Sequence, residues 1–338
     1  MNGRRAALYL LLGALLITGG CGNAPTGTEI RIPIGAGGVG FLPLLVMREH
    51  GLIEKHARAA GVENLTVKWI DLGGPAVMND ALLSGSVDFI AAGPPAFITL
   101  WDRTQGGVAV KGLAAMASLP MYLNTTAEHL RTLDDLTEGD KIAVTAVKVS
   151  IPAINMQMYA AEHYGADAAT RFDRYTVTMT HPDGVVALLS GSSQIDAHFT
   201  SPPFHQREIQ DPRVHTVIST DDILGGSTTF TMLSTTTRFH DREPKVCAAV
   251  LAALTEANAM IKADPRAAAQ TLYAADSGAG FSVDELVQVL QDPSIEFTTT
   301  PENVLKYARF MHSIGSIEHL PSSWRDMFFP EISSSPGS

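Results

Sequence analysis

Three glycines near the start of the sequence have the spacing of a dinucleotide-phosphate loop. Gly35, Gly37 and Gly40 form a G-x-G-x-x-G pattern between a predicted strand and a predicted helix. In nucleotide-binding folds these glycines let the backbone approach a pyrophosphate, and an acidic residue about 20 positions later binds the ribose. Asp71 ends the next predicted strand, but it follows Gly40 by 31 residues. An NAD-binding oxidoreductase is therefore only a remote alternative.

The sequence lacks the common motifs of hydrolases and metal sites. It contains neither G-x-S-x-G nor H-E-x-x-H, and His198 and His205 stand seven positions apart across two prolines. The nucleophile elbow and the zinc helix that those motifs form are therefore not predicted. Cys21 and Cys247 are too few for a disulfide framework or a four-thiolate site. We predict no enzyme activity, no metal and no cofactor.

Helix starts supply a different chemistry, the binding of a small anion. Four predicted loops run from a strand into a helix, at 37–41, 93–95, 147–150 and 201–204. The first N–H groups of a helix have no partner inside it, and about half a positive charge resides there. Loops of this kind that converge form an anion site. The net charge of −11 argues against nucleic acid binding, so an anion would have to be held by local donors.

The elements that position these loops follow an α/β pattern. After residue 28, strand-like runs alternate with helical patterns, which favours parallel sheets. The predicted strands are 30–34, 65–70, 87–92, 108–117, 141–145, 174–180, 195–199 and 230–234. The predicted helices are 41–60, 75–83, 95–101, 151–163, 182–189, 242–262, 265–274, 282–291 and 301–314. Asp264-Pro265, the capping box of Ser282 with Glu285, and Thr300-Pro301 mark three of the helix starts.

The two halves of this pattern repeat each other. ALLSGSVDFIAAGPPA begins at Ala81 and ALLSGSSQIDAHFTSPPF at Ala187, so that Asp88 corresponds to Asp196 with an offset of 108. RIPIGAGGVGFLP and KIAVTAVKVSIP correspond with an offset of 109 at their final prolines. Two matches at nearly one offset predict two similar lobes with a ligand cleft between them. We expect Asp88 and Asp196 to fix the turn into their strands.

The first residues have the composition of an export signal. Arg4 and Arg5 precede an apolar run at 6–17 that is too short to cross a membrane, and Cys21 follows two glycines. This arrangement resembles a bacterial lipoprotein signal. It predicts removal of residues 1–20 and a lipid on Cys21; an ordinary secreted protein is the alternative. Cys247 lies in an apolar helical stretch and is expected to be a buried, unreactive thiol.

Nearly the whole exported chain resembles a known family. The ordered segments are GFLPLLVMREHGLIEKHA, ALLSGSVDFIAAGPPA, TLDDLTEGDKIAV and ALLSGSSQIDAHFTSPP, followed by a helical tail. They are similar, from 30 to 317, to substrate-binding proteins of ABC importers of the nitrate/sulfonate/taurine type, which include carriers of thiamine-pyrimidine precursors. The resemblance implies the two-lobed type II periplasmic-binding-protein fold (Venus flytrap), which closes on its ligand by a hinge motion.

The resemblance also implies a division of the chain. Lobe one would comprise 29–118, and lobe two with its crossovers 119–229. The chain would return to lobe one and form the C-terminal helices over 230–332. A lipidated tether at 21–28 and a disordered tail at 333–338 would complete it.

Ligand contacts are assigned by matching positions to the family's loops. Ser150 and Ser201 would hold an acid group together with backbone N–H groups, while Phe41 and Phe204 would enclose an organic body. Lys148 and His198 are the cationic candidates. The full set of predicted ligand-binding residues is Gly38, Val39, Gly40, Phe41, Leu42, Gly93, Pro94, Met121, Lys148, Val149, Ser150, His198, Ser201 and Phe204.

The resulting functional hypothesis is a non-enzymatic solute receptor. It would be a monomeric lipoprotein in the periplasm or on the cell surface, and it would deliver a sulfonate or an aromatic carboxylate to an ABC permease and its ATPase. A neutral pyrimidine-type ligand remains open, as does a sensor built on the same fold. Neither nucleic acid nor a resident cofactor is expected.

Overall fold

The computed structural model describes residues 28–35, 37–72, 74–191, 194–275 and 280–338. The predicted signal peptide and Cys21 lie outside these ranges. The strands in the described chain are β1 (Glu29–Pro33), β2 (Thr66–Ile70), β3 (Ile90–Ala92), β4 (Val110–Ser118), β5 (Tyr122–Thr125), β6 (Ile142–Val144), β7 (Thr176–Thr178), β8 (Ala197–Thr200), β9 (His215–Ser219) and β10 (Thr229–Thr236).

The α-helices connect these strands and form the C-terminal part of the chain. They are α1 (Leu42–Glu49), α2 (Leu52–Ala59), α3 (Pro75–Leu83), α4 (Pro94–Arg103), α5 (Ile151–Tyr164), α6 (His181–Leu189), α7 (Phe204–Ile209), α8 (Thr220–Leu224), α9 (Thr237–Arg242), α10 (Pro244–Ala263), α11 (Pro265–Ala275), α12 (Val283–Leu290) and α13 (Val304–Ser313).

Each lobe is built on a sheet with the same strand order. In lobe two the order is β7-β6-β8-β5-β9. In lobe one β1 pairs with β2, and β10 lies between β3 and β4. The carbonyl oxygen of Arg31 accepts from the N–H groups of Asp88 and Phe89, at 2.9 and 3.4 Å, and so joins β1 to the segment that leads into β3. The order in lobe one is therefore β2-β1-β3-β10-β4.

One strand in each sheet runs against its neighbours. β10 is antiparallel to β3 and β4, and β5 is antiparallel to β8 and β9. The expectation of parallel sheets therefore holds for the pairs β1–β2, β6–β7 and β6–β8 but not for β5 and β10. The physical reason is that β5 and β10 directly follow the crossovers between the lobes, so each enters its sheet from the opposite direction.

The two halves share their hydrogen bonds as well as their strand order. The Asp88 carboxylate accepts the backbone N–H of Arg31 at 2.8 Å, and the Asp196 carboxylate accepts that of Lys141 at 2.8 Å. The Lys141 carbonyl oxygen also accepts from Asp196 and Ala197, as that of Arg31 does in lobe one. These contacts confirm that the two aspartates fix the entry into their strands.

The lobes are joined at two short crossovers, at 119–121 and 225–228. A C-terminal stretch is bonded to both: Ser118 exchanges two backbone hydrogen bonds of 2.8 Å with Glu296, and the backbone N–H of Thr229 donates to Glu302 at 3.1 Å. Asn303 donates from its side chain to the Ser227 carbonyl oxygen at 2.7 Å. The C-terminal segment therefore runs along the hinge.

Three local predictions are corrected by the structure. The helix predicted over 41–60 is two helices, α1 and α2, because Gly51 between them adopts a left-handed conformation with φ of 56°. The helix predicted from Pro301 begins at Val304, after Asn303 at φ of 55°. The tail predicted to be disordered is hydrogen-bonded, since the Ser338 carbonyl oxygen accepts from the N–H of Val304 at 2.9 Å.

The long helix α10 belongs to the core of lobe one. Among the described residues it is the one helix long and apolar enough to cross a membrane, and half of its most apolar window is buried in the protein. It packs on α1, α2 and β4. Its Cys247 is fully buried, and burial raises the pKa of this thiol to about 12, as expected for an unreactive cysteine.

Candidate functional site

A cavity of about 560 Å³ lies between the lobes. Lobe one contributes residues from 34 to 96 with Phe230 and Thr231, and lobe two contributes residues from 145 to 182. This volume is in the usual range of small-molecule pockets, about 300–1,000 Å³. The position between two similar α/β lobes is the position at which a closing pair of lobes encloses a ligand.

The lobes approach each other at two places near this cavity. At one of them the N–H of Val39 donates to the Pro202 carbonyl oxygen at 3.3 Å. At the other a Cβ placed on Gly74 would lie 3.6 Å from the Thr145 carbonyl oxygen. The structure therefore has its lobes closed over the cavity.

Four helices of at least eight residues begin at the cavity wall. Gly74, Gly93, Ser150 and Thr180 precede α3, α4, α5 and α6, and all four line the cavity. Each helix has a proline at its first or second position, where an N–H would otherwise lack a partner. Two helix starts come from each lobe, so their partial positive charges face one shared space.

The remaining wall is largely apolar. Phe41 and Phe230 meet edge to face with ring centroids 6.3 Å apart. Three methionines, Met78, Met121 and Met179, also line the cavity. Flexible thioether side chains adapt to irregular shapes, and the two aromatic rings provide flat contact area. This wall suits a ligand with an organic body.

Polar groups on the wall are few and are spread over both lobes. Arg48 and Asp71 line the cavity and are exposed, and their side chains have no ion-pair or hydrogen-bond partner among the described residues. Thr145, Thr178 and Thr231 contribute hydroxyl groups. The Thr231 hydroxyl donates to the Gly40 carbonyl oxygen at 2.6 Å. Within the described chain, no group of three or more His, Cys, Asp or Glu residues is placed to hold a metal ion.

His181 is the histidine that lines the cavity. It is the first residue of α6, whose N-cap Thr180 accepts from the Asp183 N–H. Burial, together with nearby His198, lowers the pKa of His181 well below its usual value, so the imidazole is neutral near pH 7. The ring stacks on Phe204 with centroids 5.4 Å apart.

A sequence profile described as the NMT1-like family matches residues 36–275, which is more than half of the chain. The chain belongs to the NMT1-like family. None of the curated proteins matches the sequence closely enough to count as a relative.

Solved structures share the fold of this NMT1-like protein. The alkanesulfonate-binding protein SsuA of Xanthomonas axonopodis pv. citri, bound to MOPS, is 17% identical with a TM-score of 0.64, over 88% of this chain and 96% of that one. The nitrate-binding protein NrtA of Synechocystis is 14% identical, with a TM-score of 0.65 over 90% and 86%. The aliphatic sulphonate-binding protein SsuA of Escherichia coli is 16% identical with a TM-score of 0.60, over 90% of this chain and 92% of that one. The fold is therefore that of the periplasmic binding proteins.

The cavity of this NMT1-like protein contains five of the predicted ligand-binding residues. Phe41, Gly93, Met121, Val149 and Ser150 line it. Ser150 differs from expectation in one respect, because its hydroxyl donates to the Ala146 carbonyl oxygen at 2.5 Å. With its hydrogen used in this way, the hydroxyl is not free to donate to an acid group.

The other predicted residues of lobe one lie outside the cavity lining. Gly38 and Val39 contact Pro202 of lobe two instead. Gly40 is packed under Phe230, whose ring would lie 2.1 Å from an added Cβ. Leu42 and Pro94 are buried at the starts of α1 and α4. Close packing accounts for two glycines of the pattern, Gly40 under Phe230 and Gly35 against Phe41, and the third, Gly37, has a positive φ of 83° that favours glycine.

The remaining predicted residues of lobe two also lie outside the lining. Lys148 is exposed. Ser201 is buried, and Phe204 stacks behind His181. His198 is fully buried and is separated from the cavity by His181, its hydrogen-bond partner at 3.1 Å. Phe230, not Phe204, faces Phe41.

Two cavity loops were missed by reasoning from the sequence. They are the loop from β2 to α3, with Asp71 and Gly74, and the loop from β7 to α6, with Thr178, Thr180 and His181. Both loops end at a proline-started helix, and Pro75 and Pro182 are 107 positions apart. That offset, close to the 108 and 109 of the other repeated segments, is the signal that would have identified them.

Proposed function

We propose that this protein is an extracytoplasmic solute-binding component of an ABC importer. It would capture a small organic anion, of the sulfonate or aromatic carboxylate type, and deliver it unchanged to a membrane permease with its ATPase. The observation that carries the proposal is the closed interlobe cavity, where four helix starts meet an apolar wall. Membership of the NMT1-like family and the shared fold with sulfonate- and nitrate-binding proteins support it.

The chemistry of the wall favours an anion with an organic body over a bare inorganic anion. The helix starts and Arg48 attract negative charge. Nitrate would leave most of the 560 Å³ unfilled, including the space beside Phe41 and Phe230. Burial of an apolar body against these rings adds to the affinity.

A thermal-shift screen tests the proposed ligand class. The purified protein is heated with octanesulfonate, benzenesulfonate, benzoate, taurine, nitrate or the neutral pyrimidine cytosine. We expect the melting temperature to rise with an organic sulfonate or aromatic carboxylate, because a ligand that binds only the folded state stabilises it. Stabilisation by cytosine alone would contradict the anion proposal. Stabilisation by none of these compounds would overturn it.

A neutral, nitrogen-rich ligand is the second candidate. The Asp71 carboxylate and the hydroxyls of Thr145 and Thr178 are acceptors that would bind N–H groups of such a ligand. Asp71→Asn separates the two candidates. The substitution should weaken cytosine binding, whereas it should leave benzenesulfonate binding unchanged or improve it by removing a negative charge.

We also propose that the protein is exported and anchored by a lipid on Cys21, as a monomer. Support comes from the charged, apolar and small residues of the first 20 positions. Cells expressing the full chain are labelled with a radioactive fatty acid. The label should appear in the membrane fraction with the wild-type chain and disappear with Cys21→Ser. Equal labelling of both chains would contradict the anchor.

We propose the lobe limits predicted from the sequence, with lobe one at 29–118 and lobe two at 119–229. All strands of the β7-β6-β8-β5-β9 sheet lie between Tyr122 and Ser219. The return segment of lobe one begins with β10 at Thr229. Limited proteolysis at the exposed Gly225 should therefore release no stable fragment until the C-terminal segment is also cut, since Glu296 and Glu302 hold both crossovers.

A further inference from the structure

A chain of buried side chains leads from the cavity into lobe two. His181 Nδ1 lies 3.1 Å from His198 Nε2, and His198 Nδ1 lies 2.5 Å from a carboxylate oxygen of Glu208. The second oxygen of Glu208 accepts from the side-chain amide of Asn124 at 2.8 Å. We call His181, His198 and Glu208 the histidine chain.

The fold makes room for the histidine chain at one specific point. A Cβ on Gly184, one turn after His181 in α6, would lie 2.5 Å from the His198 ring. The ring is therefore seated directly against the α6 backbone. His198 and Glu208 are fully buried, so bulk water does not form hydrogen bonds with them.

The positions of the atoms restrict where the protons of the histidine chain lie. An ionised Glu208 beside a neutral His198 would leave a buried, uncompensated charge, which is costly. Two arrangements avoid that charge: an ion pair between Glu208 and a doubly protonated His198, or a protonated Glu208 that donates to His198 Nδ1. In both arrangements His198 carries a proton on Nε2.

The proton on His198 Nε2 determines which tautomer His181 adopts. His198 Nε2–H donates to His181 Nδ1 at 3.1 Å, and the Thr200 hydroxyl lies 3.3 Å from the same nitrogen, where it can donate as well. The single proton of neutral His181 must therefore lie on Nε2. His181 Nε2 has no partner among the described residues, and the ring lines the cavity. The ring nitrogen available to a ligand is then a donor and not an acceptor.

We propose that Glu208 and His198 are positioning residues that hold His181 in the Nε2–H tautomer, which makes His181 a fixed hydrogen-bond donor to an anionic ligand. This inference rests on the proposed function and adds a specificity-determining residue to it. A carboxylate or sulfonate oxygen accepts such a bond, whereas a ligand that offers only N–H groups at this point is rejected.

Nitrogen NMR of the ligand-free protein tests the tautomer directly. The histidines are labelled with ¹⁵N, and two-bond correlations distinguish a protonated ring nitrogen from a bare one. His181→Phe and His198→Phe identify the signals. We expect His181 to be protonated on Nε2 only, and His198 to be protonated on Nε2. A bare Nε2 on His181 would overturn the inference.

Variants of the histidine chain separate positioning from simple packing. In Glu208→Gln the amide oxygen accepts from Asn124 and the amide nitrogen donates to His198 Nδ1, so the His181 signature should be unchanged. In the double variant His198→Phe with Glu208→Gln, the ring donor to His181 Nδ1 is lost without leaving a buried carboxylate unpaired. The Thr200 hydroxyl, 3.3 Å from Nδ1, remains, but a hydroxyl can accept as well as donate and so does not fix one tautomer. We expect the unique His181 tautomer to be lost there. An unchanged signature in the double variant would overturn the positioning role.

Affinity for benzenesulfonate, measured by calorimetry, tests the donor role of His181. His181→Phe should weaken binding about tenfold, as expected for a lost hydrogen bond to a charged group. His181→Gln, which keeps an N–H near the Nε2 position, should recover part of that loss. His163→Phe, at an exposed histidine of the same lobe, is the matched control and should bind as the wild type does.

The two proposals fail in different ways. If no anion in the thermal-shift panel binds while His181 shows the Nε2–H tautomer, the proposed function is overturned. If benzenesulfonate binds but His181→Phe binds equally well, the inference about His181 is overturned and the proposed function stands.

Discussion

The sequence predicted those residues of the cavity wall whose position follows from the backbone alone. Gly93, Val149 and Ser150 sit directly at helix starts, so their loops identify them. Phe204 was assigned by its place in a matching loop, yet Phe230 occupies the position opposite Phe41. Phe230 comes from β10, in the return segment of lobe one, whereas Phe204 stacks on His181 within lobe two. No local pattern of residues records either placement.

Two buried histidines give the stability of the protein a pH dependence. Burial lowers the pKa of His205 to about 4 and, with His198, lowers that of His181 well below its usual value. In the unfolded chain both imidazoles have the ordinary histidine pKa of about 6.5. Below about pH 6.5 and down to about pH 4, the unfolded state therefore binds more protons than the folded state. The free energy of unfolding should fall as the pH is lowered through this window, and the contribution should be fully present above it.

Urea denaturation at several pH values measures this effect. His205→Gln should reduce the slope of unfolding free energy against pH in that window, even if the loss of stacking on Tyr122 lowers stability at every pH. His50→Gln, at an exposed histidine, is the control and should keep the wild-type slope. Equal slopes in both variants would contradict a role for His205.

At the scale of elements, the hydrophobic pattern predicted where helix α6 lies but not what it contacts. The sequence predicted a helix at 182–189, and the structure has His181–Leu189. The pattern did not indicate that the first residue of this helix lines the cavity. It also gave no reason for a glycine in the helix interior, because that reason is the His198 ring, which comes from a strand 13 residues or more away in the chain.

Gly184→Ala should destabilise the protein in spite of a better helix former. Alanine in place of glycine favours a helix by about 1 kcal/mol. Here the new Cβ would lie 2.5 Å from the His198 ring, and overpacking of this kind costs about 1–3 kcal/mol. We expect a lower melting temperature and a disturbed His198 signal. Gly139→Ala, whose added Cβ meets nothing within 4 Å, should show neither change.

At the scale of the molecule, the repeat in the sequence predicted the two lobes and the cleft. Equivalent segments form equivalent strands, and Asp88 and Asp196 make equivalent bonds. The antiparallel strands β5 and β10 were not predicted, since their direction follows from crossing between lobes and not from their own residues. The closed arrangement of the lobes likewise depends on contacts between distant loops.

Gly93→Ala should disfavour this closed arrangement. Gly93 has an ordinary backbone conformation, but an added Cβ would lie 2.8 Å from Ile151 of the other lobe and 3.2 Å from the Phe230 carbonyl oxygen. We expect weaker binding of benzenesulfonate and a larger radius of gyration by small-angle X-ray scattering in its presence. Gly139→Ala is again the control. Wild-type affinity and radius in Gly93→Ala would show that the lobes close without this contact.

The two crossovers differ in how much torsional freedom they have. One contains Pro120, whose ring fixes a backbone angle, and its neighbour Met121 exchanges hydrogen bonds with Thr220. The other contains Gly225 and Gly226, both at positive φ. The lobes should therefore open by rotating about the crossover that contains Pro120, while the backbone dihedral angles of Gly225 and Gly226 change most. Lobe two would then rotate away from lobe one about a single axis near Pro120, and the gap between the lobes would open more on the side of Gly225 and Gly226.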